Sequence, residues 1–156
     1  HVTYGWMLPD NVMDMCRMAG FPVPGIIGFM RTYLTRHGMD PFPSEGSCDV
    51  PEPDDRTGGF QCSFRTGVLD LGTLAYAADL LKPDMVSVSC ADLYPGRVIT
   101  HDGGMGKPII EDMGYDDMMD AIRECTHADI GIIGHGMDLK DWKSGSWENV
   151  ILILSY

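Results

Sequence analysis

The sequence has no apolar run of the roughly 18 residues that a membrane span needs. Its most apolar stretch, VILIL at 150–154, has the length of a buried strand, so no membrane partner is expected. It also lacks a C-x-x-C pair. The cysteines Cys16, Cys48, Cys62, Cys90 and Cys125 are odd in number, which argues against a disulfide framework and against a zinc site. Reduced, small apolar side chains are the plainer reading. Basic residues are scarce: 11 Lys and Arg against 23 Asp and Glu leave a net charge of −12. Such a balance excludes a sequence-independent nucleic-acid surface, whose affinity comes from clustered cations. A small phosphorylated ligand is not excluded, because it needs only a few arginines or a helix N-terminus. The first residues, HVTYGWMLPD, show neither a basic n-region nor an apolar h-region, so the expected compartment is the cytoplasm.

What is present suits one folded domain with a core: 156 residues, 44% hydrophobic and 22% charged. The chain begins at His1 and stops at Ser155-Tyr156, directly after VILIL. The expectation is a fragment, with residues 1–156 as one portion of a larger domain.

Pro9-Asp10 followed by NVMDMCRMAG carries a cap candidate, helically spaced Val12, Met13, Met15 and Met18, and Gly20 as a stop, so a short helix is predicted. After PVPG, the run IIGFMRTYL reads as one buried strand. Residues 38–59 have loop chemistry of unusual length. Leu69, Leu71, Leu74, Ala75, Ala78 and Leu81 share one face, predicting a helix that starts after Thr66-Gly67 and ends at Lys82-Pro83. MVSVSC, IGII and VILIL read as strands, and 115–125 as another helix. Strands alternating with helices predict an α/β fold with a mainly parallel sheet flanked by helices. In such sheets ligands sit beyond the C-terminal ends of the strands. That rule selects TRHGMDPFPSE, ADLYPG and whatever follows VILIL.

Other features carry less. Gly103-Gly104-Met105-Gly106-Lys107 has the wrong glycine spacing for a phosphate loop, with Pro108 where Ser or Thr is required, so a hairpin or surface turn is expected. His101, His127 and His135 have no second ligand at metal spacing. The twelve methionines read as core filling.

The segment TYLTRHGMDPFPSE places Arg36 and His37 at a strand end, then Gly38, Pro41 and Pro43, which fix the backbone. It resembles the A-Y-T-T-R-V-G-x-G-P-F-P-T-E segment of the adenylosuccinate synthetase family, with Thr35, Arg36, Gly38, Pro41, Phe42, Pro43 and Glu45 identical. Asp40 stands where the family usually has Gly. The resemblance implies the C-terminal portion of an adenylosuccinate-synthetase-like, P-loop-type fold. It assigns Arg36, His37 and Gly38 to the acceptor nucleotide, with the backbone carbonyl of His37 meeting the sugar. The opening HVTYGWMLPDN is similar to a region where a family Thr contacts the nucleotide phosphate, which adds Thr3.

A second segment, QCSFRTGVLD, reads from its residues as a loop with one Arg running into a helix N-terminus. It resembles the family's T-T-G-R-x-R-R-x-G-W-x-D at Arg65, Gly67 and Asp70. It is more similar to the Q-G-x-F-R-x-G form of the bacteriophage branch, which makes succino-2-amino-deoxyadenylate from dGMP. Gln61, Ser63 and Arg65 are thereby assigned to L-aspartate and nucleotide binding. In MVSVSCADLYPG, Asp92 matches the Asp of the family's T-K-L-D base-recognition element, while Cys90 replaces its Lys. Ser155 matches the Ser of a late S-x-G-P that also lines the donor-base pocket.

The activity implied is a ligation. L-Aspartate condenses with the 6-oxo position of IMP, or of dGMP in the phage branch, driven by GTP or ATP. The implied partners are thus a purine nucleotide, L-aspartate and a nucleoside triphosphate, with Mg²⁺ held mainly by a missing N-terminal part, which also carries the catalytic residues. A homodimer is implied for the full-length enzyme. The rival reading is a non-catalytic acidic α/β nucleotide-binding or interaction module derived from this family.

Overall fold

The computed structural model describes residues 9–46, 48–51, 63–102 and 106–144. Among these, helix α1 spans Pro9–Ala19, as its spacing predicts. Gly20, at φ +74°, turns the chain out of the helix, while the N–H of Phe21 donates to the Cys16 carbonyl at 2.9 Å. The run IIGFMRTYL is not one strand. It divides into β1 (Ile27–Arg31) and β2 (Tyr33–His37), which belong to different sheets, and β1 is only half-buried.

Thr32 is the joint. It is fully buried, and its Oγ1 donates to the Cys90 carbonyl at 2.6 Å, while Ser89 Oγ donates to the Met30 carbonyl at 2.9 Å. These two bonds fasten the chain to the end of the neighbouring strand at the point where it changes sheet. Thr32→Val keeps the shape but leaves that carbonyl unmet, so it is expected to cost about 1–2 kcal/mol in chemical denaturation. An unchanged midpoint would show that the joint rests on packing alone.

Strand β3 covers Phe64–Asp70, and helix α2 covers Leu71–Leu81. The helix therefore begins later than its apolar spacing suggests, because Val68 and Leu69 are strand residues buried in the interior. Asp70 sets the boundary: its carboxylate accepts the N–H of Thr73 at 2.9 Å as an N-cap. Lys82, in the left-handed region, and Pro83 close the helix as expected. Strands β4 (Met85–Ser89), β5 (Arg97–His101) and β6 (Pro108–Asp112) follow, then helix α3 (Tyr115–Thr126), β7 (Asp129–Gly134) and β8 (Trp142–Ser144). The helix α3 and strands β4 and β7 match the sequence reading. β5 and β6 form the arms of the hairpin expected around 103–107, whose turn at 103–105 lies outside the described residues. VILIL lies outside them too.

Two four-stranded sheets result. The first, in the order β1-β4-β7-β8, is parallel across β1, β4 and β7, with β8 antiparallel at its edge. The second, β2-β3-β5-β6, has antiparallel pairs at both edges around a short parallel β3-β5 contact. The α/β class holds, and the parallel pairing is concentrated in the first sheet, with only the short β3-β5 contact in the second. The core is formed by Val86, Val88 and Ile130 of the first sheet, Leu69 and Val98 of the second, and Met118, Met119 and Ile122 of α3. The core thus holds both sheets and α3 together. No described helix is long and apolar enough to cross a membrane.

Candidate functional site

TRHGMDPFPSE leaves β2, not a strand of the parallel sheet, so it lies at the far end of an antiparallel ladder. That ladder sets Arg36 opposite Arg65 and His37 opposite Phe64. Arg65 is a strand residue, so the expectation of a loop running into a helix N-terminus is corrected: Phe64–Val68 pair with β2, and α2 starts six residues after Arg65.

The two guanidinium groups differ in how they are held. Arg65 donates through Nη1 to Glu45 Oε2 at 2.8 Å and through Nη2 to the Asp40 carbonyl at 2.8 Å, with its Cζ 5.6 Å from the Phe42 ring centroid. Its side chain is 12% exposed. Arg36 donates through Nη2 to Asp40 Oδ2 at 2.7 Å. In both arginines Nε is buried and meets no acceptor. The rings of His37 and Phe64 lie 5.1 Å apart, tilted by 51°.

The loop is pressed onto β3. Glu45 bridges to Gly67, the N–H of Gly46 donates to the Thr66 carbonyl at 2.9 Å, and Thr66 Oγ1 donates to the Cys48 carbonyl at 3.0 Å. Arg36, His37, Gly38, Ser63 and Arg65 are thereby gathered at one end of the β2-β3 ladder. Thr3, Gln61 and Ser155 lie outside the described residues.

Asp92 stands apart. It is exposed, in the 3₁₀ turn Ala91–Leu93 that follows β4, and Cys90 before it adopts the left-handed conformation at φ +55°. This is the C-terminal edge of the parallel sheet, as the strand-end rule anticipates. The two groups are linked through Thr32, which holds Cys90 and starts β2. From Thr32 to Arg36 is four residues of strand, roughly 13 Å at about 3.3 Å each.

At the Asp92 edge the residues missed by sequence reading are Tyr94 and Tyr115, with His135 beside them. Tyr94 and Tyr115 rings meet at 6.3 Å, and Tyr115 and His135 at 6.3 Å. Tyr94 donates to the Met113 carbonyl at 2.9 Å, and burial, with Asp117 adding, pushes its pKa up to about 12. At the arginine end, Asp40, Phe42 and Glu45 were visible as motif positions but not as partners of the guanidinium groups.

Asp70, which matches the family motif, is committed to structure. Besides capping α2 it meets His101 Nε2 at 2.8 Å, and His101 Nδ1 faces the Gly106 carbonyl at 3.0 Å. With an oxygen at each ring nitrogen the imidazolium is favoured, so the Gly106 carbonyl first and then Asp70 raise the His101 pKa against the opposing effect of burial. A folded pKa above the unfolded value of about 6.5 stabilises fully below that pH, and the contribution is lost as pH rises through the folded value. The stability difference between wild type and His101→Gln is therefore expected to be largest below about pH 6.5 and to shrink as pH rises above it. A pH-independent difference in melting temperature contradicts this.

Among the described residues no three His, Cys, Asp or Glu side chains converge as a metal ion needs. Cavities of about 460 and 300 Å³ lie beneath α1, lined by Pro9, Met13, Pro24, Ile26 and Leu81, and include none of the residues above.

No family model matches the chain, and no curated protein matches it by sequence. Its fold is nevertheless that of part of the adenylosuccinate-synthetase-type enzymes. It is similar to the fully ligated adenylosuccinate synthetase from Plasmodium falciparum, at 17% identity and a TM-score of 0.58, over 80% of this chain and 40% of that one. It is also similar to the succinoaminodeoxyadenylate synthetase of cyanophage S-2L, solved with dGMP and with dATP as an energy donor. There the identity is 18% and the TM-score 0.59, over 88% of this chain and 38% of that one. The chain thus spans about 40% of the length of the solved structures it matches.

Proposed function

We propose that the chain is the C-terminal portion of a purine-nucleotide ligase that condenses L-aspartate with the 6-oxo position of IMP or dGMP. One observation carries the reading: the fold shared with two such synthetases sets the Arg36-His37-Gly38 segment and Asp92 at the ends of two strands that Thr32 ties together. In this reading the acceptor nucleotide lies along the β2 end, with the His37 carbonyl accepting from its sugar and Thr3 near its phosphate. The donor base lies at the Asp92 edge, with Ser155 completing the pocket. The Asp92 carboxylate accepts the N–H groups of a guanine; with Cys90 in place of Lys, an adenine donor is also accommodated. The cyanophage enzyme, found with dGMP and dATP, combines those two choices.

The γ-phosphate passes to the purine 6-oxygen as a base takes the N1 proton, and the aspartate amine then attacks C6, losing a proton as inorganic phosphate leaves with the 6-oxygen. Mg²⁺ would supply charge neutralisation for the first step. By the same resemblance its ligands and the catalytic groups belong to the rest of a full-length, cytoplasmic, homodimeric enzyme. Gln61 and Ser63 would face the aspartate, with Arg65 holding the loop beside it. Arg65 is also the observation that favours a second reading, a non-catalytic nucleotide-binding or interaction module, because both of its Nη groups are already occupied within the chain.

The test is aspartate-dependent phosphate release by the full-length protein, with IMP and dGMP as acceptors and GTP and ATP as donors. Turnover with one acceptor is expected, and none from the 156-residue chain alone. Nucleotide binding without turnover in any combination would leave the binding module as the surviving reading.

A further inference from the structure

We propose that the carboxylate of Asp40 is an internal counter-anion on an oxyanion site built from Arg36, and that a ligand carboxylate or phosphate binds there by displacing it. This deepens the acceptor-loop site proposed above and depends on that reading only for the identity of the ligand.

The contact is incomplete in a specific way. A guanidinium edge presents two N–H groups side by side, and an oxyanion that matches it takes both. Asp40 takes only Nη2, at 2.7 Å, while Nε of Arg36 is buried with no acceptor. A sealed, unmet N–H is a standing cost, so the edge favours an acceptor that fills it better.

Asp40 is also placed to leave. Gly38, at φ +89°, reverses the chain after β2 and brings Asp40 back over Arg36. Its carboxylate is nevertheless 75% exposed, against 34% for the Arg36 side chain. Exposed pairs of this kind are weak. The backbone of Asp40 is held separately, because its carbonyl accepts from Arg65 Nη2 at 2.8 Å. The side chain can therefore rotate into water while the loop keeps its seat. Arg65 shares the unmet Nε, but both of its Nη groups are filled and its side chain is 12% exposed, so it is the fixed post and Arg36 the available cation. A glycine at position 40, the usual residue of the resembling segment, would leave Arg36 without this carboxylate, so competition at the site is a property of this chain.

The experiment follows the arginine Nε–H resonances of the chain while inorganic phosphate and, separately, succinate are titrated in at constant ionic strength. Asp40→Asn and Asp40→Gly are expected to tighten the dissociation constant for at least one of these oxyanions about two- to fivefold, the strength of the exposed pair removed. Arg36→Gln is expected to abolish that binding in every background. Tightening for phosphate alone assigns the site to a phosphate, for succinate alone to a carboxylate, and for both to oxyanions generally. Equal dissociation constants in wild type and both variants, or binding that survives Arg36→Gln, overturn the proposal. So does loss of the Arg65 Nε–H signal in both variants, since the loop is argued to stay without the Asp40 side chain. Absence of IMP and dGMP binding by the full-length protein would instead count against the ligase reading and leave the Asp40 result intact.

Discussion

Gly67→Ala is expected to destabilise the chain by about 3 kcal/mol, at the upper end of the cost of forcing extra atoms into a packed site. A Cβ built at Gly67 would stand 2.3 Å from the Ser44 carbonyl oxygen and 2.7 Å from its carbonyl carbon. Both are backbone atoms, so no rotamer change relieves the clash. Moving the loop instead breaks the Glu45–Gly67 bridge and the bond from Gly46 to the Thr66 carbonyl, and pulls Glu45 away from Arg65. The structural cost and the functional cost therefore come together, because the same loop carries Asp40 and Phe42 against the two arginines. Gly28 supplies the control: a Cβ there meets nothing closer than Pro83 Cβ at 3.4 Å. Gly28→Ala is expected within about 1 kcal/mol of wild type. Denaturant unfolding of the two variants side by side decides the matter. A Gly67→Ala chain as stable as the Gly28→Ala chain would mean that the loop does not lie against β3 in solution.

That close approach also shows where sequence reading stops. The glycine was visible as a match to a family motif, but the backbone it admits lies more than twenty positions away, and no local pattern connects them. Arg65 and Glu45, twenty positions apart, are likewise connected by no local pattern. Local features were legible where a local cause was strong: Lys82-Pro83 ends α2, and Gly20 ends α1, because those residues forbid or favour particular backbone angles. The start of α2 was read too early because Val68 and Leu69 satisfy a helical face as well as a buried strand. The better signal was Asp70 three residues before Thr73, a capping pattern that overrides apolar spacing. In IIGFMRTYL the polar pair Arg31-Thr32 was the one mark of a change of sheet, and the surrounding apolar residues masked it. Strand β5, RVITH, is short and was hidden beside the glycine-rich turn it enters. As for the site, the segment at Arg36–Gly38 was found by resemblance, whereas Asp40's hold on Arg36 depends on the positive φ of Gly38, which only the folded backbone displays.

Arg65→Ala is expected to cost about 2 kcal/mol, and Arg65→Lys somewhat less. Two charge-assisted hydrogen bonds are lost, each worth roughly 1.5–3 kcal/mol when fully buried. Glu45 is 48% exposed and regains water when its partner goes, so its share is discounted. The Asp40 carbonyl and the face of Phe42 lose a buried neighbour outright. Lysine restores one point charge but cannot reach two acceptors at once or stack as a plane, so the exchange is not conservative here. For a domain of this size about 2 kcal/mol corresponds to a fall of roughly 4–8 °C in melting temperature. That number separates two roles for the same side chain. A guanidinium reserved for the substrate aspartate would, when removed, raise the KM for L-aspartate in the full-length protein and leave the melting temperature alone. A guanidinium that anchors the loop would lower the melting temperature even in this chain by itself. The occupied Nη groups predict the second outcome, and an Arg65→Ala chain that melts with wild type would return Arg65 to the ligand.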